Sequence, residues 1–252
     1  MSKQIAFTAD DLGRDEATNL AIESAHRGGA LTHASLMLGQ PGSAHAVEIA
    51  GRNPALCIGW HFHVNDSKPL TRTAWPWGQS PVLAGLAFAL WPSARALVRH
   101  EIRAQWEQFG TTGLSCACIN GHHHLHIHPF VAREMGRLVN PGFNGWVRGF
   151  GVRFFSSNWF AGLGQRLLSG PARHWLSVWS PTRQSDSLWG VDRLFTMDAG
   201  EVAMAVAALS DGLHEFIFHP RRVGDADHTA LIGLRKLAIQ QGLADARSRS
   251  SD

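Results

Sequence analysis

The stretch Leu114-Ser115-Cys116-Ala117-Cys118-Ile119-Asn120-Gly121-His122-His123-His124-Leu125-His126-Ile127-His128-Pro129 decides how this chain is read. An apolar segment, Leu114 to Ile119, runs straight into a block in which five of the seven residues from His122 to His128 are histidine. Imidazole is the commonest protein ligand for transition metals and the one side chain that titrates near neutral pH unperturbed. A buried strand that delivers several imidazoles at its end is built to hold a metal or to move protons. The competing reading is a solvated, His-rich loop that binds metal adventitiously. That reading predicts no polar residues at strand ends elsewhere in the chain.

Three other segments contradict it. Ile5-Ala6-Phe7-Thr8-Ala9-Asp10-Asp11-Leu12-Gly13 is an apolar run that ends in two carboxylates and a glycine, and a helical pattern follows with Ala17, Leu20, Ala21, Ser24 and Ala25 on one face. Two adjacent acids can divide two tasks, one as metal ligand and one as proton acceptor; either could instead cap the helix that follows. Leu56-Cys57-Ile58-Gly59-Trp60-His61-Phe62-His63 again runs into histidine, with His63 equally well read as a strand-end residue satisfied by a backbone carbonyl. In Glu215-Phe216-Ile217-Phe218-His219-Pro220 one histidine closes an apolar run and proline stops it.

All four segments share one grammar: a short apolar run, then Asp or His, then Gly, Pro or a helix. In a parallel sheet the C-terminal strand ends gather at one face, where α/β barrels carry their catalytic groups. Strand and helix patterns alternate along the chain, which implies right-handed crossovers between parallel strands. The expected fold is α/β, a single-domain, irregular (β/α) barrel of TIM type spanning residues 1–243. Two long insertions, 63–92 and 156–196, are expected to wall a substrate pocket. The Ser/Arg-rich tail 244–252 is expected to be disordered.

Composition narrows the function. The chain has 252 residues, 44% apolar and 17% charged, which suits one sizeable core. The formal net charge is only +3, and no Arg/Lys stripe interleaves with aromatics, so nucleic-acid binding has little support. Ten tryptophans accompany no tyrosine. Trp75, Trp77, Trp91, Trp106, Trp159, Trp175, Trp179 and Trp189 are core candidates, with a sugar or lipid groove as the sharper alternative. Cys57, Cys116 and Cys118, odd in number and in apolar runs, read as reduced core residues of a cytoplasmic protein. No signal-peptide pattern opens the chain, which points the same way. The apolar stretch from Pro81 to Trp91 is too short to span a bilayer. It reads as a core helix, or alternatively as a lid or surface in peripheral contact with membrane.

Taken together, Thr8-Ala9-Asp10-Asp11-Leu12-Gly13, Gly59-Trp60-His61-Phe62, Asn120-Gly121-His122-His123-His124-Leu125-His126 and Phe218-His219-Pro220 resemble the YdjC-like carbohydrate deacetylases, a family that includes the chitooligosaccharide deacetylases. The resemblance covers almost the whole chain, and Thr32-His33-Ala34-Ser35-Leu36-Met37 looks like the family's second strand. One position departs: most members carry Asp where this chain has Asn120. The Asn form is similar to the hopanoid-biosynthesis-associated branch.

The resemblance implies a metal-dependent hydrolase that removes N-acetyl groups from an amino sugar or a sugar-linked, hopanoid-related lipid. It implies one divalent cation, Mg²⁺ or Zn²⁺, held by Asp11, His61 and His122. Asp10 would be the general base and His219 the general acid. His124 and His126, on the His122 side of an extended segment, would support the ligands or touch substrate. Arg153 would orient Asp10, with Arg148 as its rival. The alternatives are a non-catalytic His-rich metal-binding protein, expected to take several ions through His122 to His128, and another metal-dependent hydrolase such as a phosphoesterase. The chain shows no phosphate-binding glycine loop.

Overall fold

Burial on both faces organises the sheet. The computed structural model describes residues 2–139, 142–155, 163–179 and 182–240. In chain order its strands are β1 (Lys3–Leu12), β2 (His33–Leu36), β3 (Cys57–Phe62), β4 (Cys118–Gly121), β5 (Trp146–Val147), β6 (Val152–Arg153), β7 (Arg183–Gln184), β8 (Ser187–Trp189) and β9 (Gly212–Phe218). The helices are α1 (Glu16–Gly28), α2 (Ser43–Arg52), α3 (Pro81–Leu90), α4 (Pro92–Thr111), α5 (Pro129–Val139), α6 (Leu163–Leu176), α7 (Ala199–Ala207) and α8 (Ala226–Gln240). β1 is buried without interruption from Ala6 to Leu12, and β9 along its whole length. Strands closed to solvent on both faces are what a parallel sheet covered by helices requires.

Every strand pairing is parallel, in the order β6-β8-β9-β1-β2-β3-β4-β5-β7. The ends of this nine-stranded order are close in sequence: residues 148–151 separate β5 from β6, and residues 185–186 separate β7 from β8. Hydrogen bonds from Ser185 N to Val147 O and from Leu188 N to Gly151 O, both 3.1 Å, carry the pairing across the gap. The sheet therefore curls on itself in a single domain, in keeping with a TIM-like barrel.

Register brings the functional strand ends level. His61 on β3 lies opposite Asn120 on β4, and Ala9 on β1 opposite Phe218 on β9. β3 can sit this close to β4 because position 59 is glycine: a Cβ there would lie 2.3 Å from Cys118 Sγ and 2.7 Å from Cys118 O. The carboxylate that caps α1 is Asp15, which accepts from Thr18 N at 2.8 Å, so neither Asp10 nor Asp11 is engaged in capping.

Two expectations need revision, and the core reading of the tryptophans holds. The insertion 63–92 contains α3, and 156–196 contains α6, β7 and β8; the latter stretch thus supplies strands to the sheet as well as loops. The regular alternation of strand and helix breaks at residues 146–153, which form two short strands, β5 and β6, separated by residues 148–151. Most of the tryptophans are packed inside: Trp75, Trp77 and Trp179 are buried, whereas Trp91 is exposed. Trp159, residues 156–162 and the tail 244–252 lie outside the described residues. All three cysteines are free thiols.

Candidate active site

β1 delivers two neighbouring carboxylates to the same place. Strict alternation would send Asp10 and Asp11 to opposite faces of the sheet. The pairing of β1 with β2 shifts between Ala9 and Leu12, and Asp11 takes a left-handed φ of 66°. A bulge of this kind re-aims side chains, and Asp tolerates the left-handed region better than most residues. As a result one imidazole meets both acids: His61 Nε2 is 3.2 Å from Asp11 Oδ1, and His61 Nδ1 is 3.9 Å from Asp10 Oδ1.

Asp11, His61 and His122 form one cluster. His122 Nδ1 lies 2.9 Å from Asp11 Oδ1, all three residues are buried, and one ligand atom from each falls within 4.8 Å of the others. Both Asp11 oxygens and His61 Nε2 are buried without a hydrogen-bond partner. Polar atoms left this way are costly unless something compensates them. One carboxylate and two imidazoles, fewer donors than a closed structural site uses, are a set suited to a catalytic divalent cation. Arg221 Nη2, 2.9 Å from Asp11 Oδ2, is the remaining charge on this carboxylate. Burial alone would raise the Asp11 carboxyl, but His122 and then His61 hold it well below the usual range. Burial likewise disfavours charge on His122, yet the nearby Asp11 and Asp66 carboxylates push it up to about 9. Cation uptake at neutral pH would therefore displace a proton from His122.

Neighbours orient both imidazoles. His61 Nδ1 donates to Asn120 Oδ1 at 2.6 Å, and Asn120 Nδ2 donates to Ser35 Oγ at 2.7 Å, which fixes the amide's direction. That arrangement leaves the His61 Nε2 lone pair facing Asp11. On His122, Nε2 lies 3.5 Å from Asp66 Oδ2 while Nδ1 faces Asp11. A carboxylate behind a ligand histidine is a common way to set its tautomer and basicity. Asn120→Ala is expected to weaken divalent-cation affinity by about 10–100-fold, the usual scale for such partners. Isothermal titration with Zn²⁺ checks this, and an unchanged affinity would remove Asn120 from the assignment.

Asp10 has a different partner. Arg148, fully buried, grips it with two bonds, Nη1 to Oδ2 at 2.7 Å and Nη2 to Oδ1 at 2.8 Å. The same guanidinium binds Glu215, Nε to Oε2 at 3.0 Å and Nη2 to Oε1 at 2.8 Å. Burial would raise the Asp10 carboxyl, but Arg148, with His61 and His219, holds it far below the usual carboxylate range. Glu215 is pushed upward by burial, and Arg148 offsets only part of that. His219 Nε2 stands 3.8 Å from Asp10 Oδ2, and its backbone N donates to Asp227 Oδ2 at 2.6 Å. Burial outweighs the pull of Asp10 and Asp11, so the His219 imidazole is pushed down to about 4 and rests neutral at pH 7.

Five of the residues singled out in the sequence thus meet at one mouth: Asp10, Asp11, His61, His122 and His219. Others do not fit their expected places. The guanidinium on Asp10 belongs to Arg148, whereas Arg153 on β6 is exposed. The segment His122–Ile127 is a tight 3₁₀ turn and not extended, because His123 and His124 both adopt left-handed φ, 51° and 59°. His124 and His126 therefore share no strand face with His122. His126 Nε2 donates to Arg148 O at 3.1 Å and so holds the backbone of the arginine that grips Asp10. The His124 ring packs against Phe150, at 5.4 Å between centroids. His63 is satisfied by Leu38 O and Ser67 Oγ, at 3.0 and 2.9 Å, which makes it a packed strand-end histidine.

Three site residues escaped the sequence reading. Glu215 was visible as an acid inside a run that the sheet buries, a setting in which a charge needs a partner. Asp66 and Arg221 sit in irregular chain and offered no comparable signal. Beside Asp66 a cleft of about 420 Å³ opens, lined in part by Ser67, Lys68, Trp75 and Gln79. A second group that could hold a metal, Asp66, His122 and His123, shares His122 with the first, so among the described residues the histidine block offers overlapping sites and not several separate ones.

Known proteins resemble this chain in sequence and in fold. The sequence profile of the family described as YdjC-like protein matches residues 4–248. The chain is 32% identical over 139 residues to a carbohydrate deacetylase of Geobacillus stearothermophilus, an alignment covering 55% of this chain and 57% of that one. It is 34% identical over 144 residues to a carbohydrate deacetylase of Vibrio campbellii, covering 54% and 55%. Each match spans little more than half the relative's length. Among solved structures, a protein of Enterococcus faecalis V583 described as a cellobiose-phosphate cleavage protein superposes with a TM-score of 0.66 at 18% identity, over 98% of this chain and 99% of that one. At that identity the likeness concerns the fold alone.

Proposed function

The chain belongs to the YdjC-like protein family, and from that premise we propose that it is a metal-dependent deacetylase that hydrolyses the N-acetyl group of an amino sugar. The observation that carries the reading is the buried convergence of Asp11, His61 and His122 beside the Asp10–Arg148 pair. The relatives named carbohydrate deacetylase support the reaction class. The resemblance of the Asn120 form to the hopanoid-associated branch supports a sugar carried on a lipid, hopanoid-related in that reading, and the three free thiols support an enzyme of the cytoplasm.

Asp11, His61 and His122 would hold the divalent cation, Zn²⁺ or Mg²⁺. When bound, such a cation supplies Lewis-acid activation of water and charge for the developing oxyanion. The rest falls to the chain's own groups. Asp10, kept ionised by Arg148, is poised to accept the proton of the attacking water. Its depressed proton affinity makes that acceptance transient, so the proton must move on. His219 rests neutral and lacks the second proton of an imidazolium, but its Nε2 is 3.8 Å from Asp10 Oδ2. A proton taken up at Asp10 can pass through His219 to the departing amine, leaving acetate and a free amino group. The cleft beside Asp66, with its Trp75 wall, is the natural seat for the sugar.

The test is acetate release from a panel of N-acetylated amino sugars and glycolipids, using metal-stripped protein and protein reconstituted with Zn²⁺ or Mg²⁺. One tightly bound ion per chain and metal-restored acetate release are expected. Several weak ions and no hydrolysis would favour the non-catalytic metal-binding alternative.

A further inference from the structure

Helix α3 exposes an unusual face. Its inner side, Ala84, Ala87 and Phe88, is buried, and Phe88 packs edge-on against both Trp77 and His128. Its outer side is hydrocarbon: Val82, Leu83, Leu86, Leu90 and the following Trp91 are 48% to 68% exposed. Grouped large apolar side chains on one exposed helix face mark an interaction site more often than chance. The chain turns by 113° into α4, so α3 ends there and does not continue as a longer rod. No single helix among the described residues is long and apolar enough to cross a membrane. Ten residues of helix extend roughly 15 Å, about half the hydrocarbon thickness of a bilayer.

Charge along this stretch of chain has one sign. From Ser67 to His100 the chain contains Lys68, Arg72, Arg95 and Arg99 and no Asp or Glu. Arg95 is fixed at the far end of α3, where Nε and Nη2 donate to Phe88 O and Ala89 O at 2.6 and 2.5 Å, close in sequence to Leu90 and Trp91. Arg99 is paired with Glu134, which also meets Arg137. A second copy docked face to face would bring these cations together with no acid in the stretch to answer them. An anionic lipid surface answers both the hydrocarbon and the charge.

We propose that the outer face of α3 docks in the interfacial layer of an anionic membrane, with Val82, Leu83, Leu86, Leu90 and Trp91 inserted among the acyl chains and Arg95 at the headgroups. The docking surface adjoins the site: α3 packs on His128, at the end of the segment that starts with His122, and Asp66 and the cleft beside it precede α3 on the same stretch of chain. If the deacetylase reading holds, the favoured substrate is an amphiphile whose sugar reaches the cleft while its lipid stays in the bilayer. The docking itself does not depend on that reading.

The test is flotation of the full chain with phosphatidylcholine vesicles, with and without phosphatidylglycerol, at low and high salt. The unmodified chain is expected to float with the phosphatidylglycerol vesicles and to be partly released by salt. Leu83→Glu combined with Leu90→Glu should lower partitioning by at least about tenfold, with thermal unfolding and metal binding unchanged. Failure of the unmodified chain to float, equal flotation of the variant, or a concentration-dependent dimer that the variant abolishes would each overturn the proposal. Flotation without acetate release from any substrate would sink the deacetylase reading and leave the docking in place.

Discussion

Asp10→Asn is expected to bind a divalent cation as tightly as the parent chain and to release acetate roughly 10²–10⁴ times more slowly, the usual scale for a lost general base. Binding survives because the substitution spares Asp11, His61 and His122, the cluster whose ligand atoms lie within 4.8 Å of one another. Folding survives because Arg148 keeps both bonds to Glu215 and an amide oxygen can still accept from it. Asp11→Ala should do the reverse at the first step: the cation is lost, and turnover goes with it. The pair of variants therefore separates a proton-accepting role from a ligand role on adjacent residues. Single-turnover acetate release beside a Zn²⁺ titration provides both readouts. If Asp10→Asn hydrolyses at the parental rate, the base lies elsewhere.

The second large effect is on stability. Arg148 is fully buried and joins Asp10 to Glu215 by four hydrogen bonds of 2.7 to 3.0 Å. Arg148→Met leaves two carboxylates in the barrel mouth with their shared counter-charge removed. Breaking a buried ion pair in this way costs about 3–5 kcal/mol, because the stranded charge keeps its desolvation penalty. Urea unfolding should show that loss. Arg148→Met combined with Glu215→Gln should recover part of it, since one of the stranded charges is then gone. A loss below about 1 kcal/mol, the range of an exposed ion pair, would mean that water or a proton shift relieves the site. Well-packed apolar groups can often match a buried ionic triad in stability. Its presence at this mouth is thus better explained by what it does to Asp10.

The polar strand ends were legible because a buried strand leaves few reasons to end in Asp or His. Asp10, Asp11, His61, His122 and His219 all follow that rule, and register then brings them together. What stayed hidden has physical causes. β5 is only two residues long and carries no periodicity, so nothing distinguished Arg148 from Arg153. The left-handed turn at His123 and His124 has no sequence signature, and alternation was assumed where the chain coils. Glu215 was visible as an acid in an apolar run, but its partner, Arg148, lies 67 residues away and could not be read from the sequence. Helix α3 was readable as apolar, but apolar composition normally signals burial, and only the fold reveals that half of it faces outward.

Asp66 touches His122 Nε2 at 3.5 Å, and the chain that carries it continues through the cleft into α3. The proposed docking face and the proposed ion site thereby share one continuous ribbon. Any substitution that reseats this ribbon will also alter the electron density that an imidazole offers its ion. Substitutions on the outer face of α3 leave the Asp66 carboxylate in place, whereas those that move it are to be judged by their effect on ion affinity, even when no ligand residue has been touched.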